Sequence, residues 1–101
     1  MYEALSTFAS DDPGFPAGAA VAYLSLGDRV QASAWYDRAL ARAPTHVPSL
    51  VGKGELLLQA GHVQGGLELF REAFANARSK DDPAVRRARL IATAISHAAA
   101  K

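Results

Sequence analysis

Three histidines, His46, His62 and His97, are the residues with the widest chemical reach in this chain, since imidazole both ligates metals and moves protons near neutral pH. None of them has a second ligand three or four residues away, the spacing that would put two donors on one helical face, so no metal site is expected. The chain has no cysteine, which excludes disulfides, zinc–thiolate sites, thiol nucleophiles and redox switches. Gly65-Gly66 falls inside a helical pattern and not between a strand and a helix, so it is not a phosphate-binding loop. Close helix packing, or a flexible convex surface, is the expected reason for that pair. No spacing supports a Ser–His–Asp grouping. The expectation is a protein without catalysis, cofactor or metal.

Charge points the same way. Arg86, Arg87 and Arg89, with Arg78 and Lys80 nearby, form a local positive excess that could meet phosphates. No aromatic residue is interleaved with them, and Asp81 and Asp82 dilute the cluster. The expected reading is the solvated face of a terminal helix, not a nucleic-acid surface. Over the whole chain 11 basic residues stand against 10 acidic ones, a net charge of +1, which gives no general pull toward nucleic acid or acidic membranes.

The elements that must position these residues follow from a period. The chain is 101 residues long, the size of one domain, with an ordinary globular balance of apolar and charged residues. Gly27 and Gly61 are 34 residues apart, and so are Ala20 and Gly54, Tyr23 and Leu57, Trp35 and Leu69, Tyr36 and Phe70, and Ala39 and Ala73. Small residues recur with small ones and bulky apolar ones with bulky apolar ones, which divides the chain into units 13–46 and 47–80. Each unit reads as two antiparallel helices broken at Gly27-Asp28 or Gly61-His62. Glycine ends one helix, and Asp28 can cap the next. In the first unit Ala19, Ala20, Tyr23, Leu24 and Leu26, then Val30, Ala32, Trp35, Tyr36, Ala39 and Leu40, recur at helical spacing. In the second, Leu50, Gly54, Leu57 and Leu58 share one side of a helix, and Leu67, Phe70, Ala73 and Phe74 share one side of the next. Small residues at Ala20, Gly54, Ala32 and Gly66 let the paired helices approach, and Tyr23, Leu57, Tyr36 and Phe70 fill the space between them. Pro44 stops the second helix and Pro48 fits the first turn of the third. A last helix is capped by Asp81 or Asp82, carries Pro83 early, and ends near Ala100. Val85, Ala88, Ala92, Ile95 and Ala99 form its buried stripe, and Leu90 points away from it. Residues 1–12, with Tyr2, Leu5 and Phe8 three apart, predict a short N-terminal helix. The expected fold is all-α, a right-handed stack of about six helices.

These residues resemble the tetratricopeptide repeat (TPR), a 34-residue helix–turn–helix unit. Ala20, Tyr23, Gly27, Asp28, Ala32, Tyr36, Ala39 and Pro44 stand where the family keeps small, aromatic, turn and terminating residues, and Leu50, Gly54, Leu57, Gly61, Phe70 and Ala73 repeat the pattern. The chain departs from it at Pro16, where a large residue usually opens the first helix, at Lys53 for a buried leucine, at Gly66 for alanine and at Arg78 for the final proline. The resemblance implies a right-handed α-α superhelix of two TPR units (13–46 and 47–80) between terminal capping helices (1–12 and 81–101). It also implies a non-catalytic binding scaffold, since the motif specifies fold and not ligand.

In the TPR family the first helix of each pair lines a concave groove. That places Val21, Leu24 and Ser25, then Val51, Glu55, Leu58 and Gln59, then Arg86, Arg89 and Thr93 along it. The implied partner-binding residues are Leu24, Ser25, Glu55, Leu58, Gln59, Arg86 and Arg89, and the implied ligand is a peptide or helix of a partner protein. Arg86 and Arg89 could fork onto a carboxylate. Equally, Glu55 could pair with Arg86 or Arg89 and leave the groove simply solvated. The family's chaperone-tail clamp is not expected, because of its positions only Arg86 fits, the others being Ala17, Val21, Gly52 and Asp82. The second expectation is a structural unit whose ends, marked by Leu90, Tyr2 and Phe8, join into a homodimer or an array. No nucleic acid, membrane, cofactor or metal partner is expected. Met1–Ser10 carries Glu3 and lacks the basic flank of a signal peptide, and no apolar run is long enough to cross a membrane, so a cytoplasmic location is expected. The abundance of alanine, and of arginine over lysine, suits a GC-rich bacterial source.

Overall fold

Backbone chemistry at a few residues decides where the chain turns. Gly27 and Gly61 adopt φ of 80° and 90°, a region that side chains disfavour. The amides that follow them turn back on the preceding helix, Asp28 donating to the Tyr23 carbonyl at 2.9 Å and His62 to that of Leu57 at 2.8 Å. With the Gly27 and Gly61 amides donating to Leu24 and Leu58, these are two Schellman closures. The Asp28 carboxylate then caps the next helix by accepting from the Gln31 amide at 3.0 Å. Asp82 caps the last helix, accepting from the Ala84 amide at 2.8 Å. Pro48 and Pro83 stand in first turns, where a missing N–H costs nothing.

The computed structural model describes residues 14–99. It holds α1 (Gly14–Ser25), α2 (Arg29–Arg42), α3 (Val47–Gln59), α4 (Val63–Asn76) and α5 (Pro83–Ala99). Among the described residues the fold is all-α, with no strand. The expected N-terminal helix with Tyr2, Leu5 and Phe8 lies outside the described residues. Helix α1 packs on α2 and α3 on α4; α2 joins the two pairs by packing on α3, and α5 lies against both α3 and α4. The pairs match in layout, since α2 and α4 each have 14 residues and begin 34 apart.

Two apolar clusters hold the helices. The first gathers Ala19, Ala20, Ala32, Trp35, Tyr36 and Leu56; the second gathers Leu50, Val51, Phe70, Ala73 and Ala88. The small residues expected at close contacts are all buried, and Gly54 faces Gly66 across α3 and α4. Phe15 meets Trp35 edge-on, with centroids 6.3 Å apart, and the Arg38 guanidinium lies 4.4 Å from the Trp35 ring. Lys53, where the family pattern has a buried leucine, reaches back to α2 and donates to the Ser33 hydroxyl and to Asp37, whose carboxylate is 3.1 Å away. A half-buried ammonium here ties α3 to α2 in place of an apolar contact. Two residues of the expected helical stripes do not pack inward. Leu26 and Val30 are 80% and 81% exposed; Leu26 stands in the turn after α1 and Val30 in the first turn of α2.

The joint between the pairs centres on Tyr36, whose ring lies over Gly52 of α3 so closely that a Cβ there would overlap it. Burial, and secondarily the charge of Glu55, raise the Tyr36 phenol above its ordinary value of 10.0. The unfolded chain therefore loses this proton first. The corresponding stability is complete below about pH 10 and declines as pH rises through the folded value. Denaturation midpoints measured across pH 9–12 should fall less steeply for Tyr36→Phe than for the natural chain, and equal slopes would refute the assignment.

Candidate partner-binding clefts

Helix geometry decides which side chains of α3 and α5 share a surface. Leu58 and Gln59 lie three and four residues after Glu55 on α3, and Ile91 lies four after Arg87 on α5. These five line one cleft between the two helices. The Arg87 Nε donates to Glu55 Oε1 at 2.7 Å, with the Glu55 side chain 19% exposed and that of Arg87 67%. Leu58 and Ile91 are half-buried, and Gln59 is exposed. The cleft thus offers an apolar floor, a polar edge and an ion pair whose two members present opposite charges.

The residues expected to form one groove are divided by the structure. Glu55, Leu58 and Gln59 come together as expected. Arg86 and Arg89 do not join them; they line a separate trough on the other side of α5 with Leu90, Thr93, Ala94 and His97. The Glu55 partner is accordingly Arg87, not Arg86 or Arg89. Leu24 packs against the Trp35 cluster, and the exposed Ser25 hydroxyl donates to its own helix at the Val21 carbonyl. Val51 belongs to the core and lines nothing.

The cause is a change of register. Four residues, 43–46, connect α2 to α3, whereas six, 77–82, connect α4 to α5. The positions of α3 therefore recur on α5 after 36 residues instead of 34. At about 100° per residue, two extra residues turn the helix by roughly 200°. A strict 34-residue period carries Glu55 onto Arg89, whereas the observed 36-residue offset carries it onto Ile91, one turn after Arg87. The polar run Ser79-Lys80-Asp81-Asp82 within the connector 77–82, which is two residues longer than its counterpart 43–46, is the signal that could have shown it.

The histidines take structural or exposed places. His46 precedes α3, and its Nδ1 is 2.6 Å from the hydroxyl of the fully buried Ser49; His62 precedes α4, and His97 is exposed in the last turns of α5. Among the described residues no group of acidic or histidine side chains could hold a metal, and no helix is long and apolar enough to cross a membrane. No protein family, curated protein or solved structure matches the chain.

Proposed function

We propose that this chain is a non-catalytic protein-interaction module of TPR type, its helix pairs wound as a right-handed superhelix, that holds a peptide or helix of a partner protein against α3 and α5. The observation that carries this reading is the cleft in which Glu55, Leu58, Gln59, Arg87 and Ile91 converge. Its mixture of apolar floor and both charge signs suits an extended or helical segment whose backbone and side chains carry the same mixture. A bound carboxylate would compete with Glu55 for Arg87, and a bound lysine or arginine would compete with Arg87 for Glu55. The 34-residue recurrence of Gly27 and Gly61, each at a Schellman closure, supports the TPR assignment.

A second reading, assembly of copies through a terminal helix, has one observation in its favour, the 73% exposure of Leu90 on α5.

The test is a pull-down from a native lysate, with wild type beside a Glu55→Arg/Gln59→Arg variant that still melts cooperatively. A defined protein that binds wild type, is lost from the variant, and can be narrowed to a competing peptide supports the cleft. Equal recovery by both baits removes it, and recovery of the bait alone favours assembly.

A further inference from the structure

Helices α3 and α5 meet the pair before them in the same manner, 36 residues apart. Ser49 and Gly52 are buried on α3, and Val85 and Ala88 are buried on α5. The Tyr36 ring lies over Gly52, and Phe70, its counterpart 34 residues on, shares a cluster with Ala88. On α3 the opposite side, formed by Leu50, Gly54 and Leu57, takes α4. The residues 36 further on are Arg86, Leu90 and Thr93. They line an open trough of about 560 Å³ that runs from Arg86 to His97, about 16 Å of helix. Among the described residues α5 packs chiefly on α3 and α4, and Arg86, Leu90 and Thr93 are exposed.

Its chemistry narrows what would cover it. Helix α5 contains no aspartate or glutamate. Arg87 is engaged by Glu55, whereas Arg86 and Arg89 have no carboxylate within ion-pair distance among the described residues. The Arg89 guanidinium lies 5.9 Å from the Phe74 ring. Leu90 stands exposed next to Arg89 and one turn beyond Arg86, at the position that corresponds to Gly54, which lets α4 approach α3. A helix seated here meets an apolar ridge with positive charge at its N-terminal end, and it must be small where it crosses Leu90.

We propose that this side of α5 binds an acidic amphipathic helix of another protein, laid across α5 as α4 is laid across α3, with alanine or glycine over Leu90 and carboxylates on Arg86 and Arg89. This is a second surface, distinct from the α3–α5 cleft, and a ligand of one need not touch the other.

The experiment is fluorescence anisotropy of the full chain with a labelled synthetic helical peptide of alanine, leucine and glutamate, roughly as long as α5, its glutamates flanking an alanine–leucine stripe. Saturable binding is expected. Arg86→Glu/Arg89→Glu should weaken it about tenfold or more, and replacing the peptide's glutamates by arginine should restore binding to that variant. Leu90→Lys should also weaken it, whereas Glu55→Arg/Gln59→Arg should leave it unchanged, which separates this surface from the cleft. The three altered α5 side chains are exposed; if the double reversal melts early, Leu90→Lys and the peptide charge series carry the test. Failure of the acidic peptide to bind, or equal binding by the reversed variant, overturns the proposal. So does preferential binding to anionic phospholipid vesicles, which would make the occupant a membrane, or sedimentation as a Leu90-dependent dimer, which would make it a second copy.

Discussion

Phe70→Ala is expected to lower the unfolding free energy by about 3–5 kcal/mol, the usual cost of emptying a buried aromatic site. Phe70 is 1% exposed and shares its cluster with Leu50 and Val51 of α3, Ala73 of α4 and Ala88 of α5. Its ring edge abuts Gly54, so three helices lose a common contact at once. Domains of this size have only about 5–15 kcal/mol in hand, and the variant should be largely unfolded at moderate denaturant. Leu90→Ala, on the exposed side of α5, should stay within about 0.5 kcal/mol of wild type. Guanidinium denaturation followed by circular dichroism compares the two. A Phe70→Ala loss below about 1 kcal/mol would mean that the α3–α4–α5 core is not packed as described.

Adjacent glycines in α4 should respond in opposite directions to the same substitution. Gly65→Ala should stabilise by up to about 1 kcal/mol, because alanine favours the helix over glycine. Its new methyl would meet only Leu57 Cδ1 at 3.5 Å, an ordinary contact. Gly66→Ala gains the same propensity but places its methyl 2.7 Å from Leu58 Cγ and 2.8 Å from the Gly54 carbonyl oxygen. Backbone cannot step aside as a side-chain tip can, so α3 and α4 must separate, and overpacking of this kind costs about 1–3 kcal/mol. Thermal melts of the pair decide the matter. If Gly66→Ala is as stable as Gly65→Ala, the close approach of α3 and α4 is wrong.

The helix ends were written plainly in the sequence. Glycine at 27 and 61, aspartate at 28 and at 81 or 82, and proline at 48 and 83 each impose a local backbone preference that does not depend on the rest of the chain; the structure selects Asp82. The small–large pattern also carried over, because Ala20, Ala32, Gly54 and Gly66 leave no room for anything but contact with the facing helix. The surface was read less well. Which arginine of α5 faces Glu55 depends on the phase of a helix relative to its neighbour, and that phase is set by the length of residues 77–82 and not by any residue of the site. The buried Val85 and Ala88 were legible from the apolar spacing of α5 itself, whereas the choice of Arg86 and Arg89 over Arg87 and Ile91 rested on carrying the period across the connector. Leu26 and Val30 misled for a related reason, as apolar spacing beside a turn does not distinguish a side that packs from one that stays exposed.

The contact between the two helix pairs includes Tyr36 over Gly52, Leu56 in the first cluster, Leu40 against the second, and Lys53 reaching Ser33 and Asp37. Information about whether one half is folded passes to the other through this seam. In a row of units, cooperativity depends on the coupling between neighbours as much as on the stability of each. Weakening the seam without touching either core would therefore change the shape of the unfolding transition before it changed its midpoint. One sharp event would broaden, and then divide, as the halves began to melt on their own schedules.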